Sequence, residues 1–188
     1  MLYPIDIAEK IFYPILAVVG IPEMLVVFGR KQLAALVYIA RNPKNNVVSY
    51  YHFHRICNTM VEPGSWEEFL VSFMEGNVSW GWYDHVKGFW KLKDEHQILY
   101  LFYEDLKECL KSEIAKVVMF LGKDLSDEKI ETIVENTGFQ VMKENPMAIN
   151  ISCGWRLEKP VHSGPERGFD DDCRRKMEDT SLRFRTDI

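Results

Sequence analysis

Short apolar runs alternate with amphipathic stretches along this chain. Leu36 to Ala40, LVYIA, is unbroken and apolar with β-branched and aromatic members, the composition of a strand buried on both faces and so of a parallel sheet. Ile98 to Tyr103 is a second run of the same kind. Between them, the Glu62-Pro63-Gly64 turn leads to Ser65, which stands three residues before Glu68 as the N-cap of a helix. Trp66, Phe69, Leu70 and Phe73 then recur at helical spacing and are predicted core. Trp80 to Leu92 reads as another helix, whose stripe of Trp82, Val86, Phe89 and Trp90 is more simply core than a cofactor box. After the second strand, Glu104-Asp105 open a helix predicted to run through about Leu121, and Ser126 caps one carrying Ile130, Ile133 and Val134 to about Asn136. Ile149 to Pro165 is loop-like, and a last helix starts near Asp170 with acids first and bases later, as the macrodipole prefers.

Ile11 to Phe28 is the most apolar segment, but Pro14, Gly20, Pro22 and Glu23 interrupt it. It suits neither a spanning helix of roughly 20 apolar residues nor a signal peptide, so core packing is expected and no membrane role. The 188 residues, 47% of them hydrophobic, suit one domain. A net charge of −5 without a long basic stripe argues against a nucleic-acid partner, and Arg174, Arg175 and Lys176 read as a solvated basic face. Four cysteines (Cys57, Cys109, Cys153 and Cys173) have no paired or histidine-linked spacing, so neither disulfide framework nor metal site is expected and a reducing, cytoplasmic setting fits.

The stretch from Leu36 to His54 carries the candidate chemistry. Arg41 follows the first strand directly, Asn42 can cap a helix and Pro43 can occupy its first turn. A helix start at the carboxyl end of a parallel strand offers N–H groups to an anion, and an arginine adds a forked donor suited to phosphate. Ser49, about two turns on, could add a hydroxyl. The plainer alternative is an arginine paired with an acidic neighbour and a serine packed in mid-helix.

Arg-Asn-Pro-Lys followed by Val-Val-Ser-Tyr-Tyr-His-Phe-His resembles the 3′-phosphate-binding segment of the cytosolic sulfotransferases. PGSWEEFL, WYDHVKGFW, ILYLFYEDLKE, NTGFQVMKENPM and the tail FDDDCRRKMEDTSLRFRTDI continue the resemblance in the family's order, nearest its phenol- and small-molecule-sulfating branch. The resemblance implies an α/β fold, a parallel sheet flanked by helices in an incomplete P-loop-like sulfotransferase arrangement. It divides the single domain 1–188 into an atypical segment 1–35, a family core 36–148, an atypical loop 149–165 and a C-terminal helix and tail 166–188. It also implies 3′-phosphoadenosine 5′-phosphosulfate as donor, a small hydroxyl-bearing acceptor such as a phenol or steroid, and no metal. Arg41 and Ser49 match the family's 3′-phosphate ligands; Tyr103, Thr137 and Phe139 match residues beside the adenine; Phe53 matches an acceptor-pocket residue. For Tyr103 and Phe139, core packing is the reading without the resemblance. His52 and His54 read as structural.

Two parts of the family's machinery have no match. Nothing before Leu36 resembles its Lys-Ser-Gly-Thr-Thr-Trp loop for the 5′-phosphosulfate, and no histidine precedes His52 to serve as its base. Its Arg-Lys-Gly segment and subunit-pairing patch are likewise replaced. The resemblance therefore implies a shortened or alternatively spliced form, nearly inactive in transfer, whose remaining strands have an uncovered edge unless the N-terminal segment supplies a partner. A silent protein that holds the nucleotide or associates with full-length relatives is the alternative; a P-loop hydrolase is remote without Gly-x-x-x-x-Gly-Lys-Ser/Thr.

Overall fold

A computed structural model describes residues 24–28, 35–56, 60–78, 81–137, 141 and 167–185. Strand β2, Ala35–Ala40, is the centre of a three-stranded sheet of order β1-β2-β3. It pairs in parallel with β3, Ile98–Phe102, with Leu36 opposite Ile98 and Ala40 opposite Phe102. The parallel pair is the one the two apolar runs predict. The other edge of β2 takes β1, Met24–Phe28, antiparallel, Met24 opposite Ile39 and Phe28 opposite Ala35. The expected open edge is thus covered from the N-terminal side, and the sheet is mixed.

Successive side chains of a strand point to opposite faces, and β2 divides its residues accordingly. Tyr38 and Ala40 enter one layer, Val37 and Ile39 the other. The first layer is covered by α1 (Pro43–Ile56), α2 (Trp66–Glu75), α3 (Trp82–Leu92) and α7 (Arg167–Lys176). The second is covered by α4 (Tyr103–Glu108), α5 (Leu110–Phe120) and α6 (Asp127–Thr137). Helices on both faces of a buried parallel pair make the three-layer α/β arrangement that the sequence predicts.

Local signals explain most boundaries. The Asn42 side chain accepts from the Lys44 N–H at 2.9 Å, the N-cap bond of α1, with Pro43 in the first helical position. Ser65 and Glu68 form the reciprocal capping box of α2. That helix ends where Gly76 adopts φ +81, with Asn77 N–H bonded to Ser72 O and Gly76 N–H to Phe73 O. This is a Schellman motif, and its left-handed residue favours glycine. Two expectations are corrected. Tyr103 opens a helix instead of ending the strand, and the helix expected to run to Leu121 is two, broken at Cys109 with φ −134 and ψ 56. The break changes the helix axis while Leu106 and the Ile114, Val117, Val118 stripe still reach one layer.

The C-terminal helix and tail dock on the aromatic layer. Phe169 and Leu182 are buried in it; the Tyr83 hydroxyl lies 3.2 Å from Asp172 and 3.1 Å from the Cys173 sulfur. Lys87 donates to the Lys176 carbonyl at 3.1 Å, and the Trp90 indole to Ser181 at 3.0 Å. The basic cluster of α7 is not simply solvated. Arg174 pairs with Asp171 at 2.9 Å, Arg175 with Asp172, and Lys176 with Asp172 at 3.1 Å, so the acids of the same helix offset its bases.

Candidate functional site

The carboxyl ends of the two parallel strands release Arg41-Asn42 from β2 and Tyr103-Glu104 from β3 side by side, and Arg41 and Tyr103, with Ser49 of α1, form the candidate site. Arg41 donates from a terminal nitrogen to the Ser49 hydroxyl at 3.0 Å, across the eight-residue separation. Its guanidinium carbon lies 4.5 Å from the centroid of the Tyr103 ring, in cation–π contact. Its Nε is buried and finds no hydrogen-bond partner among the described residues. Burial lowers the pKa of Arg41 from its ordinary value, opposed by Tyr103 and Glu104. A half-buried guanidinium with an unused donor is a place where an incoming anion would relieve both the desolvation and the unmet N–H.

Beneath it lies a buried polar core. Glu104, 3% exposed, accepts the Asn42 N–H at 2.8 Å, and Asn42 is itself 1% exposed. The Asn42 amide also donates to the Arg185 carbonyl, so the C-terminal tail is tied to the end of β2. Arg185 pairs with Glu108 at 2.7 Å and with Asp105, which ties the same tail to α4 beyond β3. These contacts change the sequence-based picture of the helix start. The Asn42 N–H goes to Glu104, Pro43 has none, and the Lys44 N–H goes to Asn42, so the earliest donors of α1 are already taken. The side-chain donors left at this end of the sheet are those of Arg41 and Ser49.

The structure thus joins Arg41, Ser49 and Tyr103 in one cluster. Phe53 lies on the same helix one turn beyond Ser49, half-buried, its ring parallel to Tyr50 with centroids 6.4 Å apart. Thr137 is buried at the end of α6, its hydroxyl donating to the Ile133 carbonyl at 2.7 Å within its own helix. Phe139 lies outside the described residues. His54 packs at the end of α1: its Nδ1 meets the Val61 carbonyl at 3.0 Å and its ring is edge-on to Tyr50. No group of three or more potential metal ligands gathers among the described residues. Glu104, Asn42 and Arg185 were missed as site residues in the sequence. Glu104 reads there only as a first-turn acid, and its one clue is its place immediately after a buried strand.

A half-buried arginine at the carboxyl ends of parallel strands stands where open α/β sheets bind their ligands. A family model described as "Sulfotransferase domain" matches residues 25–184. The human protein "Sulfotransferase 1C2" is 43% identical over 166 residues, which is 79% of this chain and 56% of that protein. The rat "Sulfotransferase 1 family member D1" is 43% identical over 173 residues, 81% of this chain and 58% of that protein. Among solved structures, mouse sulfotransferase SULT7A1 complexed with PAP superposes with a TM-score of 0.66 at 27% identity, covering 77% of this chain and 59% of that one. Retinol dehydratase in complex with androsterone and inactive cofactor PAP gives 0.63 at 27% identity, covering 79% and 48%. The chain belongs to the cytosolic sulfotransferase family. It spans a little over half the length of these curated relatives.

Proposed function

We propose that the chain binds the adenosine 3′,5′-bisphosphate portion of 3′-phosphoadenosine 5′-phosphosulfate at the carboxyl end of β2. We further propose that its reaction class is transfer of a sulfuryl group to the hydroxyl of a phenol, steroid or similar small acceptor. The observation carrying this reading is the Arg41 guanidinium, held by Ser49 and the Tyr103 face with its Nε–H still unmet. Arginine presents its donors as a rigid fork that matches phosphate, and the Ser49 hydroxyl can rotate from accepting to donating. The PAP complexes of the structural neighbours support the choice of nucleotide, and the androsterone bound to retinol dehydratase supports a small acceptor. Tyr103, Thr137 and Phe139 are proposed beside the adenine and Phe53 beside the acceptor, with no metal required.

Within these 188 residues, transfer itself is expected to be slow. No Lys-Ser-Gly-Thr-Thr-Trp type loop and no histidine ahead of His52 is present. A general base contributes about 10²–10⁴ in rate and electrostatic clamps a comparable factor. The same observation favours a second reading, a silent nucleotide-binding chain in the cytoplasm that associates with full-length relatives. Single-turnover assay with radiolabelled donor separates the two.

The test of the site is thermal unfolding with and without adenosine 3′,5′-bisphosphate. At ligand about 100-fold above Kd the native state gains ~2.7 kcal/mol, a rise of about 5–10 °C for a chain of this size. Arg41→Ala is expected to abolish the rise. An equal rise in Arg41→Ala, or none in the unaltered chain, would dismiss the proposed site.

A further inference from the structure

Glu104 is a buried acid that the proposed chemistry does not use. It lies in the low-dielectric end of the sheet at 3% exposed, and the partner of its Oε1 is not a cation but the Asn42 backbone N–H, at 2.8 Å. That N–H belongs to the peptide joining Arg41 to Asn42, at the middle of the two-residue connection between β2 and α1. Rotation about this link would swing the Arg41 side chain relative to Ser49, which α1 carries. Three further bonds hold the same residue: from the Lys44 N–H to the Asn42 side chain, from that side chain to the Arg185 carbonyl, and from the Asn46 N–H to the Asn42 carbonyl at 2.9 Å. The Glu104 bond is the one that ties the link to β3, the strand whose end also presents Tyr103 to Arg41. One acid therefore fixes the arginine and the ring beneath it in a common frame. By taking the first N–H of the helix start, it also leaves the anion to the Arg41 and Ser49 side chains.

We propose that Glu104 is a positioning residue for the phosphate site, acting as a hydrogen-bond acceptor that locks the Arg41–Asn42 peptide to the end of β3. It rests on the nucleotide-binding reading above. The role is geometric: reach matters more than charge. A site group displaced by about 1 Å can lose a large part of its effect, so shortening the acid is expected to be more harmful than neutralising it.

The experiment compares Glu104→Gln, which keeps an acceptor at full length without charge, with Glu104→Asp, which keeps the charge one methylene short. Affinity for adenosine 3′,5′-bisphosphate is measured by calorimetry on the full chain, with unliganded melting as the folding control. Glu104→Gln is expected to bind within about threefold of the unaltered chain and Glu104→Asp to bind roughly tenfold or more weakly, both still melting cooperatively. The reverse order would show that charge and not reach matters, and overturn the inference. So would equal effects of the two variants, whether both bind well or both badly. Failure of the unaltered chain to bind the nucleotide overturns the functional reading and this inference with it. Normal binding by Glu104→Asp overturns this inference alone.

Discussion

The two layers on either side of the sheet solve the same packing problem with different side chains. The layer over Tyr38 and Ala40 is aromatic: Tyr50, Tyr51, Trp66, Phe69, Phe73, Trp82, Tyr83 and Phe169 fill it. The layer over Val37 and Ile39 is aliphatic, built on Leu101, Leu106, Ile114, Val117, Val118, Ile130 and Ile133. Aromatic rings carry polar tips that need partners, and here they find them: Tyr38 with His85 at 3.0 Å, Tyr51 with the Gly64 carbonyl at 3.1 Å, Tyr83 with Asp172 at 3.2 Å. Those bonds give the aromatic layer directional register across long sequence separations, as the 89 residues between Tyr83 and Asp172 show. The aliphatic layer draws its helices from the continuous stretch between Tyr103 and Thr137 and rests mainly on apolar area, with the exposed Lys111–Glu131 pair at 2.6 Å between α5 and α6. The site sits at the seam, with one arginine from the strand common to both layers.

The contrast can be broken most directly in the cores. Trp82→Ala, at a fully buried ring packed edge-on and tilted among Phe73, Tyr83 and Phe184, is expected to cost about 3–5 kcal/mol and to release the tail as well. Ile114→Val in the aliphatic layer should cost about 0.5–1.5 kcal/mol. Urea denaturation reads both, and limited proteolysis near Arg183 reads the tail; an intact tail in Trp82→Ala would deny the aromatic layer its long-range role.

A smaller effect sharpens the same comparison through pH. Burial pushes the Cys173 thiol up to about 11 and the Tyr83 hydroxyl well above its ordinary value. The native state therefore holds the thiol proton more tightly than the unfolded chain, whose thiol titrates near pH 8.5. The stabilisation is fully present below that value and is lost as pH rises through about 11. Allowing for solvent screening at a half-buried group, the loss is of order 1 kcal/mol. Cys173→Ser is expected to flatten the early part of this alkaline fall in stability, leaving the later part due to Tyr83. An unchanged profile would remove the thiol from the account.

The smallest expected effect is at the surface. Arg185→Ala breaks the exposed pairs with Asp105 and Glu108, and should lower the melting midpoint slightly at low salt and not at all near 1 M salt. A large, salt-independent fall would mean that the Asn42 bond to the tail carbonyl had been lost too.

Much of the frame was legible in the residues. The two apolar runs became the parallel pair, Asn42-Pro43 and Ser65-Glu68 became the caps they resemble, and the Trp66-Phe69-Leu70-Phe73 spacing became buried core. Arg41 and Ser49 were legible as neighbours because an eight-residue separation across a strand-to-helix turn is a local matter, while their match to phosphate ligands rests on the family resemblance. Less legible was everything set by long-range pairing. Nothing in Met24 to Phe28 announces an antiparallel partner for β2, since a short apolar run supports strand or helix equally and its register depends on the edge it meets. The break at Cys109 interrupts a helical pattern that the sequence carries without a glycine or proline.

The sequence alone determined most of the local grammar: the two parallel strands, where most helices start, and which arginine follows the central strand. Only the tertiary structure decided what surrounds that arginine. Tyr103 and Glu104 come 62 residues or so along the chain, brought beside Arg41 and Asn42 by parallel pairing of β2 and β3, and Arg185 comes from the far end. The physical reason is that caps and periodicity depend on neighbours within one or two turns, whereas the charge, burial and unmet Nε–H of Arg41 depend on which strand ends lie together.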